Sequence, residues 1–307
     1  HTRSDRDWSS DVCSSDLFYS KIKEMLLDGA VGKVMNIQAR EDVGFFHQAH
    51  SFVRGNWRDS KETSPMILAK CCHDMDILVW LSDSGCSRVS SYGELSWFKE
   101  ENAPKGSAKR CMDGCEAKEG CPYDAEKIYI TDKSTGVRHG AGWPANTFVI
   151  HPTEDAVREA LEKGPYGRCV FHSDNTVVDH QTVDIEFENQ VTASFLMTAF
   201  TNQCARRIRI MGTKGELKGD MESGTIEIID FVSGTNDLIQ LHTPSKGHSG
   251  SDMSMMREFV RMVGEGKTGK TDASVSVASH LMALAAEEAR ISRLVIDFEE
   301  YSTYEMK

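Results

Sequence analysis

Apolar residues recur at spacings of three and four through Phe18, Ile22, Met25 and Leu26, which predicts an amphipathic helix over Phe18–Leu27 that ends at Gly29. A strand is expected from Val34 to Val43, followed by a polar, aromatic loop from Phe45 to Ser60 that carries His47, His50, Arg54, Trp57 and Arg58. Residues 64–81 then read as a buried helix, with Ser64 as N-cap and Pro65 in the first turn. Alternation from Ser87 to Phe98 predicts a strand, and Thr153–Lys163 a short helix capped by Thr153. Six further strands are expected at residues 169–171, 182–187, 192–199, 206–212, 215–219 and 224–229. They follow one another without intervening helices, so neighbours should pair antiparallel. A helix over Met253–Val263 and a closing helix over 272–293 complete the pattern. The fold class expected is α/β in the α+β sense: an open, mostly antiparallel sheet with helices on one face.

The helix at 64–81 breaks its own apolar pattern. Lys70, His73 and Asp74 share one face, and His73 also neighbours Asp76. Charges inside an otherwise apolar helix are costly unless they pair or line a cleft. One reading is a catalytic set, with His73 as proton carrier, Lys70 as its electrostatic partner and Asp76 orienting it. The other is a solvated helix end. The 45–60 loop, with Arg54, is either a site for an anionic or hydroxylated ligand or an ordinary surface loop. Phe171–Gln181, with His172, Asp174, Asn175, Asp179 and His180, either binds sugar hydroxyls or forms turns. The stretch Lys246–Asp252 adds His248 just ahead of a helix N-terminus, a place that favours anionic ligand atoms.

Residues 99–165 change character and read as an insertion. Cys111, Cys115 and Cys121 fall within eleven residues, between Gly114, Gly120 and Pro122. Such a knot suits thiolate ligation of zinc, ahead of an iron–sulfur cluster, with a fourth ligand from Cys71, Cys72, His139, Cys169 or Cys204. The bland alternative is three free thiols. A metal here would be structural, since so small and polar an insertion has little core of its own. Gly140–Ala145 matches a loose G-x-G-x-x-A pattern, but no buried strand precedes it and Pro144 and Pro152 break the region, so it reads as a loop.

Composition narrows the function. With 307 residues, a net charge of −12, 39% hydrophobic and 27% charged residues, the chain reads as globular. The negative charge argues against nucleic acid or anionic membrane as the main partner. No apolar run approaches a membrane span, and no secretory signal is visible. A cytoplasmic location is the expectation, and most of the nine cysteines should be reduced. Residues 1–17 lack any period, and Asp7–Leu17 reads as the translation of a common sequencing adapter. These residues are expected to be an artefact, disordered, with natural sequence missing ahead of Phe18. Residues 18–307 then form one α/β domain.

Several segments together resemble the glucose–fructose oxidoreductase/inositol dehydrogenase/MocA (Gfo/Idh/MocA) family. They are Phe18–Val34, Ala69-Lys-Cys-Cys-His-Asp-Met-Asp76, Thr192–Ala199, Met211-Gly-Thr-Lys-Gly-Glu216, Gly247–Asp252 and Ser279-His280. The resemblance implies the substrate-binding C-terminal α/β domain of an NAD- or NADP-dependent oxidoreductase of sugars, polyols or their derivatives, forming homo-oligomers through its sheet. It also implies that the dinucleotide fingerprint and the usual catalytic Lys lie upstream of Phe18, so that this chain alone is inactive. Family members often carry an Asp where Ala69 stands, and Lys70 takes that electrostatic role here. On this view Arg54, His180 and His248 hold substrate. The competing class is a non-catalytic sugar-binding or oligomerisation module with a structural metal. A third is the NAD-dependent glycosidase chemistry found in the same family.

Overall fold

The computed structural model describes residues 17–241 and 273–305, together with 260, 261 and 264. His248 and the expected Met253–Val263 helix, two of whose residues are described, otherwise lie outside these residues, as does the adapter-like segment up to Asp16. The chain opens with helix α1 (Leu17–Leu27), closed by Gly29 in the left-handed region, and passes into strand β1 (Val34–Asp42). Helix α2 (Met66–Ser82) starts just after Pro65, whose fixed φ suits a helix boundary. Strand β2 (Cys86–Glu94) precedes the insertion, which holds helix α3 (Glu154–Lys163). As expected, Thr153 caps α3, accepting from the backbone N–H of Ala156 at 3.4 Å.

Strands β3 (His180–Phe187), β4 (Thr192–Thr198), β5 (Ala205–Gly212), β6 (Gly215–Asp220), β7 (Thr225–Asp230) and β8 (Asn236–Gln240) come next. Helix α4 (Ala273–Ser292), the short strand β9 (Ile296–Asp297) and helix α5 (Phe298–Glu305) close the chain. The sheet order is β8-β7-β6-β5-β1-β4-β3-β2-β9. Every pairing is antiparallel except β1 with β4. So β4 and β5, consecutive in the chain, are not neighbours: β1 lies between them, parallel to one and antiparallel to the other. The strand expected at 169–171 is instead turn, touched only by a single bridge between Arg110 and Arg168. β8 and β9 escape the sequence pattern, because β8 is short, polar and largely exposed, and β9 has two residues.

Alternation sets the two faces. Along β4, Ala193, Phe195 and Met197 are buried while Thr192 and Ser194 are exposed. The buried side packs with Ile37 of β1, Ile208 and Ile210 of β5, and Ile67, Met75 and Leu78 of α2, in one continuous core. The opposite face is open and polar, lined by Arg40, Arg207, Arg209 and Lys218 with Asp184 and Glu227. The insertion corrects one expectation: it has a core of its own. Phe98, Tyr129, Ile130, Val157, Leu161 and Phe171 cluster with Ala49 and Val53 from the loop after β1.

Phe195, 1% exposed at the centre of the sheet, gives a direct test of this packing. Phe195→Ala should destabilise the chain by about 3–5 kcal/mol, read as a lowered urea midpoint with an unchanged slope.

Candidate active site

The chemistry collects at one edge of the sheet, where β1 ends, β5 begins and α2 presents its first turns. β1 carries Glu41 onto the helix-side face, where it is 2% exposed. Lys70 Nζ lies 3.0 Å from Glu41 Oε1. Arg206, the second residue of β5, places Nε 2.9 Å from both Glu41 Oε2 and Asp74 Oδ1. Two carboxylates and two cations therefore form a nearly buried quartet, linked in the order Lys70–Glu41–Arg206–Asp74, across three elements. Burial and the neighbouring Asp74 raise the Glu41 carboxyl to about 6, against the opposing pull of Arg206 and Lys70. Lys70 thus leans on Glu41, which no sequence pattern marks as part of the site, and Asp74 rather than Asp76 shares its network. His73 stands exposed one turn further along α2, and Asp76 is buried at 4%.

The loop after β1 brings a second histidine to this edge. Gly44 turns the chain at φ +83°, and a Cβ there would stand 3.2 Å from Cys204 Sγ, so the position demands glycine. Phe45–His47 forms a helical turn that runs into a π-helix over Gln48–Arg54, a form common at functional sites. His47 Nδ1 lies 3.6 Å from Cys204 Sγ, and its ring meets the edge of Trp143 at 5.0 Å. Burial, then the charges of Lys70, His50 and Arg206, hold its pKa down at about 3. At neutral pH His47 is therefore an uncharged imidazole beside a lysine, suited to hydrogen-bonding a hydroxyl. It was legible only as one of several polar loop residues, because the link to Lys70 is tertiary.

Other expected positions fall elsewhere. Arg54 is fully buried and does not face a ligand. It donates to the carbonyls of Arg168 (2.7 Å) and Tyr123 (2.6 Å), which ties the π-helix to the insertion. With its fork turned onto backbone, it is a structural residue. His180 stands at the same edge of the sheet, but β3–β4–β1 register aligns it with Thr198 and Asp42, on the face away from Glu41 and Lys70. Its Nδ1 is 2.8 Å from Asp179 Oδ1, while the other Asp179 oxygen accepts from the N–H groups of Ser96 and Trp97. Asp174 pairs with Arg58 and Arg168, and Asn175 donates to the carbonyl of Phe98. The 171–181 segment therefore fastens turns, in line with one of its two readings.

The cysteine knot also departs from expectation. Among the described residues, no three His, Cys, Asp or Glu side chains form a centre that would hold a metal ion. A zinc site is thus not supported. Gly140–Ala145 is a loop, as expected: a 3₁₀ turn, Val137–His139, precedes it rather than a strand.

The family profile described as "Oxidoreductase family, C-terminal alpha/beta domain" matches residues 23–292. The chain belongs to the Gfo/Idh/MocA oxidoreductase family. YteT of Bacillus subtilis (strain 168), which carries the name of an oxidoreductase, is 21% identical over 262 residues, or 79% of this chain and 57% of that protein. The fold is shared with an oxidoreductase domain protein from Kribbella flavida (TM-score 0.60, 14% identity, 94% of this chain and 65% of that one). It is shared too with levoglucosan dehydrogenase in complex with NADH and L-sorbose (TM-score 0.61, 13% identity, 95% and 66%). Aldose–aldose oxidoreductase from Caulobacter crescentus complexed with glycerol is similar at a TM-score of 0.55 and 12% identity, over 93% and 62%. The chain thus spans between about half and two thirds of these relatives. No helix among its described residues is long and apolar enough to cross a membrane.

The buried His50 and the half-buried His47 set an acid limit on this part of the fold. His50, 3% exposed, bonds Tyr129 Oη through Nδ1 at 2.9 Å and stacks on Tyr166, and burial holds its pKa at about 4. The unfolded chain takes up this proton near pH 6.5 and the native chain resists it, so stability falls as pH drops from 6.5 towards 4, at about 1.4 kcal/mol per pH unit for such a group. His47 acts in the same direction. Glu41, raised to about 6, acts oppositely between pH 6 and 4.5. Two groups outweigh one, so the urea midpoint should decline steadily below pH 6.5. His50→Phe should flatten that decline, and an unchanged slope in the variant would contradict the assignment.

Proposed function

We propose that this chain is the substrate-binding half of an NAD(P)-dependent oxidoreductase that acts by hydride transfer on a sugar, polyol or related compound. The observation that carries the reading is Lys70, fixed 3.0 Å from the buried Glu41 one turn before the exposed His73. Hydride transfer at a carbinol or carbonyl carbon requires a proton to leave or reach the attached oxygen. His73 moves that proton. Lys70, paired with Glu41, polarises the oxygen, and Asp76 steadies His73 from the buried side of α2. Neutral His47 binds a neighbouring hydroxyl. Levoglucosan dehydrogenase with NADH and L-sorbose bound, and aldose–aldose oxidoreductase with glycerol bound, support the substrate class.

The dinucleotide does not fit the residues described here. The Gly-rich candidate among them, Gly140–Ala145, lacks the strand before it, and no cradle for a pyrophosphate is formed by it. On this proposal the nucleotide is held by sequence upstream of Phe18, and the chain alone does not turn over substrate. In a full-length form with that sequence restored, His73→Ala should lower kcat by about a hundredfold or more, and Lys70→Met should do likewise. Near-normal turnover of the His73 variant would remove it from the role.

The open sheet face is the place for a second copy. Its cationic Arg40, Arg207, Arg209 and Lys218 alternate with Asp184, Asp220 and Glu227 around Leu196 and Leu238, a mixture able to meet itself across a two-fold axis. Sedimentation should show a dimer or larger, and Leu196→Arg should return it to monomer.

A further inference from the structure

Trp143 is 39% exposed, although three rings hold it. It meets His47 at 5.0 Å, His50 at 5.6 Å and Phe46 at 6.0 Å between ring centroids, steeply inclined to each at 81°, 76° and 73°. The support continues behind them. His50 stacks on Tyr166 at 4.9 Å, and Tyr166 on Phe148 at 4.3 Å. Thr147 Oγ1 donates to the Pro144 carbonyl at 2.8 Å and lies 3.2 Å from His50 Nε2, which pins the residue that follows Trp143. An indole braced in this way and still partly open is a preformed contact surface rather than filler for a core.

Its place is at the candidate site. His47 links it to the quartet: the imidazole touches the indole, and Lys70 and Arg206 are among the charges that act on that imidazole. The Cys204 S–H is directed at the Val43 carbonyl, 2.8 Å away, so the sulfur is left to accept from His47 Nδ1–H at 3.6 Å. His47 Nε2 then keeps its lone pair for a hydroxyl. We propose that Trp143 is the platform on which this site seats the apolar face of a cyclic sugar, so that the chain selects a pyranose ring over an open-chain polyol. The proposal rests on the reading of the chain as the substrate-binding half of a sugar oxidoreductase, and names the form of sugar it takes.

The chemistry of the two partners matches. A pyranose chair gathers its axial C–H groups into a flat, apolar patch whose hydrogens are slightly positive. The face of an indole is apolar and slightly negative. An open-chain polyol has no fixed face of this kind and loses more freedom when it is ordered on a surface. The indole itself, held by His47, His50 and Phe46, loses little. With the ring seated on Trp143, one edge hydroxyl is given to His47 Nε2, and another is left for the Lys70–His73 side of the site.

The test uses the 307-residue chain labelled with 5-fluorotryptophan, whose five tryptophans give five fluorine resonances. Trp143→Phe identifies the resonance of Trp143. The probes are the methyl pyranosides of glucose, galactose and mannose, set against sorbitol, galactitol and mannitol, with binding itself followed by saturation-transfer NMR. At least one pyranoside should bind and shift the Trp143 resonance, with the corresponding polyol weaker. Trp143→Ala should weaken that binding by about tenfold, and Trp143→Phe by less. Trp57→Ala, which removes another exposed tryptophan, should leave it unchanged. A pyranoside that binds without moving the Trp143 resonance would overturn the platform and leave the sugar reading standing. Polyols that shift the resonance as strongly as the pyranosides would overturn the selection of a ring. Binding of neither class would overturn the platform together with the sugar reading beneath it.

Discussion

The buried quartet of Glu41, Lys70, Asp74 and Arg206 is the constraint on which the rest of the structure depends. Ions this deep repay their desolvation only when geometry is good and each charge is shared. Here each carboxylate meets Arg206, and Glu41 meets Lys70 as well. The quartet locks the end of β1, the start of β5 and the first turns of α2 to one another. Loss of a single member would strand its partners in a medium that does not solvate them. The same arrangement fixes where His73 emerges from α2, so the candidate site and the stability of the central strands rest on the same four side chains.

Much of the fold was legible because periodicity reports burial. The helices at 18–27, 66–82 and 153–163 and the run of strands from 180 to 230 emerge from spacing and turn residues. Sheet order was not legible. Nothing local in Val34–Asp42 says that it inserts between two strands more than 150 residues away, since pairing partners are chosen by the whole core rather than by the strand's own sequence. The site divides in the same way. Lys70 and His73 betrayed themselves by interrupting an apolar helix. Glu41 did not, because a carboxylate at a strand end reads as solvated until its cationic partners are known, and His47 was hidden among similar residues. Arg54 misled for the converse reason: an arginine in a polar loop suggests a ligand, and only the tertiary structure shows its fork turned onto main-chain carbonyls.

The insertion changes the balance between scaffold and site. Its sequence suggests a polar excursion dependent on a metal for its order. Instead Phe98, Tyr129, Val157, Leu161 and Phe171 give it a second core, into which Ala49 and Val53 of the π-helical stretch pack while Arg54 bonds the Arg168 carbonyl. Trp143 reaches from it to the rings of His47 and His50, at 5.0 and 5.6 Å. The segment between β2 and β3 is therefore a wall of the site, built on the same π-helical stretch that leaves β1.

The placement of β1 has a consequence for how the chain reaches this state. Asn36 pairs with Thr192 and Arg40 with Leu196, so β1 is made more than 150 residues before the strands that flank it. Until β4 and β5 exist, Ile37 and both edges of β1 have no sheet to enter, and the closure of so long a loop must precede any reward from pairing. Synthesis therefore passes through a long interval in which this strand, with Ile37 uncovered, waits with its backbone unpaired, open to pairing with another chain. A fold that sets β1 between strands made much later holds it along both of its edges, at the cost of slower assembly.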